Sequence, residues 1–360
     1  MSDAAEEFLT LHEIVKAARE RLDKGRWDYL MGATETETTF RRNRQAIDNW
    51  AFRPRVLRDV TAIDTKTTLF GRQIAMPVLM APIGSLESFE AGGGATAAKA
   101  GGRANVPLML SSVCNPGLEA VAAAGPDAPR IFQLYVRGDN AFEDDHVRRA
   151  VDQGYFAFAV TVDTAHYSRR ERDLANRFVK PWRQAATGMD WQAAYNWDNV
   201  KRFKDTHKVP LILKGIGTGE DAAAAVALGV DGIYVSNHGG RQLDQGRGSM
   251  EVLEEVVTAV AGNATVIVDG GFYRGTDIVK AIALGADCVG IGRMTGLGMA
   301  AAGEEGLVRV LDLLHEEITI ALALLGARNL GELSRSHLSR SHPVGPAHAL
   351  SAFPLLGEGY

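Results

Sequence analysis

Cysteine is scarce: Cys114 and Cys288 are the only two in 360 residues, and both sit in or beside apolar runs. That excludes a disulfide scaffold and reads as two reduced core thiols in a cytoplasmic chain. Positive charge is not in excess either. There are 39 Lys and Arg against 44 Asp and Glu, a formal charge of -5, so nucleic acid is not an expected partner. No apolar stretch approaches the roughly 20 residues that span a bilayer as a helix. The opening MSDAAEEFLT is acidic rather than signal-like, so neither an integral membrane segment nor a leader is expected. His337, His342 and His348 fall in a tail rich in Ser, Pro and Gly without the spacing of a ligand set, and no metal is expected.

What is present is a rhythm. Short apolar runs recur at 77–82, 107–112, 130–136, 156–163, 210–215, 232–237, 265–271 and 288–293. Ala-rich segments of helical period lie between most of them, at 91–104, 141–153, 219–229, 249–261 and 274–285. Apolar strands alternating with helices predict a parallel sheet covered on both faces. Eight such units predict an α/β fold, a (β/α)8 TIM barrel over about 77–326, in a single domain spanning 1–360. A doubly wound open sheet is the competing architecture, but no GxGxxG follows the first strand. Ahead of the barrel, residues 8–31 carry Leu11, Ile14, Val15, Ala18 and Leu22 at helical spacing and predict one or two helices. Residues 40–75 hold scattered charges and short β-like pieces, a layer closing the bottom of the barrel or padding its side. Residues 307–325 predict an amphipathic helix with His315, Glu316 and Glu317 on its wet face, followed by the C-terminal tail.

In such a barrel the active site lies where the strands end. The sixth run, Gly232-Ile233-Tyr234-Val235, stops at Ser236-Asn237-His238-Gly239-Gly240-Arg241. Glycines permit a sharp turn and close approach to a ligand. His238 exchanges a proton near neutral pH, and Arg241 offers a planar fork for a carboxylate. The other strand ends add Pro82, Ile83, Gly84, Ser111, Gln133, Tyr135, Thr161, Asp163, Arg170, Lys214, Asp269 and Gly270. Any one of these alone reads as a satisfied core group; together they form one polar rim. Gly271, Gly292 and Arg293 follow the seventh and eighth strands, where barrels bind phosphate through backbone N–H groups. The longest insertion, 180–196, holds Trp182, Met189, Trp191 and Tyr195, and reads as either a lid over the site or a surface loop packed on its own aromatics.

These residues resemble a known family. SNHGGRQLD, with TVDT at 161–164, RRE at 169–171, LILKG at 211–215, DGG at 269–271 and GIGR at 290–293, is similar to the FMN-dependent α-hydroxy acid oxidases and dehydrogenases. Glycolate oxidase, lactate oxidase, mandelate dehydrogenase and the flavin domain of flavocytochrome b2 belong there. The resemblance implies oxidation of an (S)-2-hydroxy acid to the 2-oxo acid, with His238 as base and flavin N5 as hydride acceptor. It implies Asp163 as the partner of His238, Arg170 and Arg241 as the carboxylate clamp, and Tyr29 and Tyr135 as hydrogen-bonding partners of the substrate. For the cofactor it implies Lys214 beside the flavin ring, with Ser111, Gln133, Thr161 and Ser236 on its polar edge. Pro82, Ile83 and Gly84 would pass along its face, Asp269 would meet the ribityl chain, and Gly270, Gly271, Tyr273, Arg274, Gly292 and Arg293 would surround the phosphate. It also implies a homotetramer, and O2 or a quinone or carrier protein as electron acceptor.

Three positions depart from the family pattern. Tyr273 stands where the first of two arginines usually follows the DGG motif. Val113 stands where glycolate oxidase has Trp, which predicts a roomier pocket for an aromatic or branched acid such as mandelate. Gly84 stands where typical oxidases carry Ala and mandelate dehydrogenase Gly, which favours a dehydrogenase. A modified-peptide or amine substrate is the alternative within the flavin reading, and a non-catalytic binding barrel the alternative outside it.

Overall fold

The computed structural model describes residues 3–184 and 186–360; Met1, Ser2 and Ala185, the last inside the predicted lid, lie outside them. Eight strands form the barrel: β1 (Val78–Met80), β2 (Leu108–Ser111), β3 (Arg130–Leu134), β4 (Ala157–Thr161), β5 (Leu211–Ile216), β6 (Gly232–Val235), β7 (Thr265–Val268) and β8 (Cys288–Ile291). Each pairs in parallel with its sequence neighbours, and β8 closes on β1. These are the eight predicted runs, most of them trimmed at the C-terminal end, because the polar residues there belong to the loops that build the rim. Leu79, Met109, Ile131, Ala159, Ile212, Tyr234, Ile267 and Cys288 fill the interior. A hairpin of Thr67–Leu69 and Arg72–Ile74 adds Leu69, Phe70 and Ile74 to that cluster and plugs the end where the strands begin. It is the bottom-closing layer expected of residues 40–75.

The rest of that segment departs from expectation. Thr38–Asp48 is a helix, and it packs at the opposite, C-terminal rim of the barrel. Its buried face includes Asn43 and Arg44, which breaks the apolar period that would have marked it. The Arg44 guanidinium donates to both Asp277 oxygens, at 2.6 and 2.8 Å, and to Gly271 O at 3.2 Å. Burial alone would raise the Asp277 carboxyl, but the charge and hydrogen bonds of Arg44 hold it below its ordinary value. Asp277→Asn should destabilise the fold by about 1–3 kcal/mol, since the buried guanidinium then keeps only the partly exposed Asp48 as its counter-charge. Denaturant unfolding measures this, and an unchanged midpoint would show that the pair contributes little.

Residues 8–31 form two helices. Leu11–Arg21 begins in a capping box of Thr10 and Glu13, and Lys24–Met31 is capped by Asp23. The expected helix at 307–325 is the second half of a longer one, Arg293–Leu325, broken by non-helical backbone at Ala302 and Gly303. Glu317 is not on a wet face. It accepts from Arg274 and from the Gly275 amide at 2.7 Å, where the preceding helix, Gly275–Ala283, begins. In the tail, Leu338–Arg340 pairs with Trp50–Phe52, and Phe353 is buried edge-on to both His12 and Tyr273. Among the described residues no helix is long and apolar enough to cross a membrane.

Candidate active site

The turn after β6 is held by its own polar groups and by the helix Thr38–Asp48. His238, Gly239 and Gly240 take positive φ of 60, 63 and 77° in succession. For a residue with a Cβ, such as His238, that costs on the order of 1–2 kcal/mol. The cost is met by the Ser236 hydroxyl, which accepts the His238 amide at 3.0 Å, and by the Asn237 side chain, which accepts the Gly240 amide at 3.0 Å. Asn43 and Asn237 exchange two hydrogen bonds, at 2.9 and 2.7 Å. A Cβ on Gly240 would meet the Phe40 backbone at 2.7 Å, so only glycine admits the helix.

This turn aims His238 at Asp163. Nδ1 lies 3.0 and 3.3 Å from the two carboxylate oxygens. Asp163 gets that close because β5 is irregular at Gly215, whose φ is 111° and where a Cβ would lie 2.6 Å from the Asp163 Cβ. Burial opposes charge on both groups. The Asp163 carboxyl is nevertheless held low by His238, Lys214 and the Thr164 hydroxyl, whereas burial wins at His238 and lowers its pKa below the ordinary value despite Asp163. The state at neutral pH is therefore an ionised Asp163 accepting from the Nδ1–H of a neutral imidazole. Nε2 then carries the lone pair and accepts from the Tyr135 hydroxyl at 3.3 Å.

His238 faces a cavity of about 1100 Å³, its open mouth included. Arg170 and Arg241 both line it, and among the described residues neither makes an ion pair. Arg241 Nη1 is fixed by the carbonyls of Tyr29 and Gly32, each at 2.7 Å, while its buried Nη2 has no partner. Burial, with Arg170 beside it, lowers the Arg241 pKa to about 10. Arg170 lies over the Tyr167 ring at 4.6 Å and reaches Gln242 at 3.3 Å. Two desolvated guanidinium groups without a carboxylate beside a proton acceptor make a receptor for an organic anion. Tyr29 also lines the cavity, its hydroxyl donating to Gly84 O at 2.6 Å.

The opposite wall suits a flavin mononucleotide. Pro82, Ile83, Gly84, Lys214, Asp269, Gly270, Gly271, Tyr273, Gly292 and Arg293 line it. Gly270 and Gly271 have φ of 100 and 87°, and a Cβ on Gly292 would meet open space. Buried polar atoms lack partners on this wall, Tyr273 Oη and Arg293 Nε, and on β3 and β4 of the barrel, both amide atoms of Gln133 and Thr161 Oγ1. Such orphans are costly unless a ligand meets them. An amide and a hydroxyl at one end with a guanidinium and a phenol at the other match a polar ring edge and a phosphate. Ser111 accepts only a 3.4 Å contact from the Val113 amide.

Some sequence-predicted residues are placed elsewhere. Arg274 is turned out of the cavity to Glu317, at 2.9 Å, and to Ala352 O, so it is not a phosphate ligand in this arrangement. The reason is that Glu317 offers it a carboxylate at a helix start. Ser236 does not line the cavity, and neither do Ser111, Gln133 and Thr161, which sit on β2, β3 and β4. The Ser236 hydroxyl receives from Lys214 at 2.8 Å and donates to Asp269 at 2.6 Å, which makes it a positioning residue. The insertion at 180–196, read from sequence as a lid or a surface loop, contains two short helices, Pro181–Gln184 and Met189–Ala194. Trp182 and Met189 overhang the cavity, and Gln192 pins the segment to the barrel through Thr161 O and the Val136 amide, both at 2.8 Å. Asn43, Gly215 and Gln192 support the site and escaped sequence reasoning, because the partner of each lies far along the chain.

Comparison with known proteins agrees with this geometry. Residues 18–340 match the family described as FMN-dependent dehydrogenase. Glycolate oxidase 1 of Zea mays is 39% identical over 370 residues, covering 97% of this chain and 99% of that protein. A crystal structure of mandelate oxidase with (S)-2-phenylpropionate superposes with a TM-score of 0.87 at 38% identity, covering 94% of this chain and 100% of the other. A chimera of (S)-mandelate dehydrogenase gives 0.86 at 34% identity over 91% of this chain and 98% of the other. The chain belongs to the FMN-dependent dehydrogenase family and is an FMN-dependent oxidoreductase that acts on 2-hydroxy acids.

Proposed function

We propose that the protein oxidises an (S)-2-hydroxy acid bulkier than glycolate to its 2-oxo acid, as a dehydrogenase that delivers electrons to a quinone or carrier protein in preference to O2. The observation that carries the substrate class is the placing of Arg170 and Arg241, both without a carboxylate, on the cavity that His238 lines. Arg170 and Arg241 bind and orient the substrate carboxylate. Tyr135, 3.3 Å from Nε2, steadies the substrate hydroxyl beside the base. Nε2 takes the substrate proton, and Asp163 stabilises the imidazolium that results. When bound, FMN would supply the two-electron acceptor; Lys214 and the amide and hydroxyl of Gln133 and Thr161 would hold its ring, and Tyr273 and Arg293 its phosphate.

The small side chains at Val113 and Gly84, both on the cavity wall, support a larger substrate. Gly84, whose carbonyl is held by Tyr29, supports the dehydrogenase assignment, as the same residue marks mandelate dehydrogenase in the family pattern. The two free, buried thiols, Cys114 and Cys288, support a reducing compartment, and we assign the protein to the cytoplasm.

The test is anaerobic mixing of the yellow holoenzyme with glycolate, lactate, mandelate and a long-chain 2-hydroxy acid. Bleaching by the larger acids is expected; no bleaching by any of them would favour a modified-peptide or amine substrate. Under air, dye reduction should outpace peroxide release, and the reverse order would make the protein an oxidase. The phosphate end has its own check. Tyr273→Phe removes one neutral hydroxyl donor and should weaken FMN binding by about 0.5–1.5 kcal/mol, roughly threefold to tenfold in Kd. Fluorescence titration of the apoprotein reads that change without turnover.

A further inference from the structure

The cations around the cavity can be matched with anions one at a time. Lys214 has Asp269 at 3.2 Å, and Lys180 has Asp173. Arg293 faces the phosphate end, and Arg170 and Arg241 take the reacting carboxylate. Arg137 is left over. It lies two residues past Tyr135 and lines the cavity. Its guanidinium sits against the rings of Tyr135 and Trp182, 6.0 and 5.3 Å from their centroids. Among the described residues it has no acidic partner. Its one hydrogen bond runs from Nη1 to Thr187 O at 3.3 Å, and its Nε is buried and unpartnered.

The arrangement has a clear electrostatic consequence. A half-buried guanidinium with no counter-charge is costly, and an anionic guest removes that cost. Contact with two aromatic rings holds the planar group in place, and a planar fork so held suits a carboxylate bound through two parallel hydrogen bonds. A side chain ending in a methyl group would instead leave the guanidinium desolvated beneath Trp182.

We propose that Arg137 is a specificity determinant on the Trp182 side of the cavity and binds a second carboxylate, so that the preferred substrate is a 2-hydroxy acid whose side chain ends in a carboxylate. This rests on the 2-hydroxy acid reading above and deepens it. The experiment uses the holoenzyme and matched pairs of (S)-2-hydroxy acids: 2-hydroxyglutarate against 2-hydroxypentanoate, and 2-hydroxyadipate against 2-hydroxyhexanoate. Anaerobic flavin reduction should favour the dicarboxylate of at least one pair roughly tenfold to hundredfold in kcat/KM, mostly through KM. Arg137→Leu should bring that ratio to one or below, and Arg137→Lys should restore part of it. FMN content and the visible spectrum of each variant report that the site has folded. A parent that prefers the methyl-ended acids, or an Arg137→Leu variant that loses both members of a pair equally, overturns the proposal and leaves Arg137 as a support for Trp182. If mandelate or lactate bleaches the flavin and no dicarboxylate does, the 2-hydroxy acid reading survives and this one fails. If no hydroxy acid bleaches it, both fail.

Discussion

His238→Gln is expected to give a protein that still binds FMN and is still yellow, but that 2-hydroxy acids reduce about 10²–10⁴-fold more slowly, the usual contribution of a positioned general base. Glutamine fills much the same volume and can still reach Asp163, so the turn keeps its contacts. What it lacks is a nitrogen that accepts and holds a proton. The pH dependence gives an independent check. His238 works as the neutral imidazole, and burial lowers its pKa below the ordinary value, with Asp163 pulling it back up. In the parent, kcat/KM should therefore rise with pH through an inflection below about 6.5, the unperturbed imidazole value, and stay flat above it. Asp163→Asn removes the group that raises the His238 pKa, so the inflection should move to lower pH. It should also cost rate, because the imidazolium loses its counter-charge and Nδ1–H loses its acceptor. A His238→Gln variant that bleaches at the parent rate would remove the base assignment, and an inflection well above the ordinary value would show that Asp163, not burial, sets the pKa in the loaded enzyme.

The barrel was legible because its strands are apolar on both faces and its helices keep a 3.6-residue period, two signals that survive in a single sequence. The rim residues were legible because glycines and lone polar groups interrupt those runs at their C-terminal ends. The helix Thr38–Asp48 was not. Its inward face includes Asn43 and Arg44, whose partners Asn237 and Asp277 lie 194 and 233 residues away. No local pattern encodes a pairing of that range. Arg274 failed for a related reason: its place beside the DGG motif said phosphate, while Glu317, 43 residues on, offered a nearer charge. Gly215 read as the residue ending a strand, and its function appears only when Asp163 is seen packed against it. Position along the chain located the site; the partner of each charge needed the fold.

Arg241→Met is expected to cost about 2–5 kcal/mol in substrate binding and transition-state positioning, or roughly thirtyfold to a few thousandfold in kcat/KM. Its two terminal nitrogens are used differently. Nη1 is held by two backbone carbonyls, so the fork is fixed before any ligand arrives, and Nη2 is buried with nothing to bind. A preorganised group loses little entropy when the substrate carboxylate meets it. Burial and Arg170 together lower the Arg241 pKa to about 10, a sign that the pocket holds more positive charge than it neutralises by itself. An anion relieves that at both arginines, so the two should not act additively. Arg170→Met with Arg241→Met should cost less than the sum of the single losses, since the second loss acts on a carboxylate already released. Because Arg241 Nη1 also ties down Tyr29 and Gly32, a structural loss has to be told apart from a lost clamp. Arg241→Lys keeps the charge and should recover only part of the rate, for want of the second parallel hydrogen bond. Added guanidinium should restore some activity to Arg241→Ala and none to a misfolded protein. A non-reacting 2-oxo acid should raise the melting temperature of the parent and shift that of Arg241→Met far less, because stabilisation follows ligand concentration over Kd. Equal shifts in parent and variant would place the carboxylate elsewhere in the cavity.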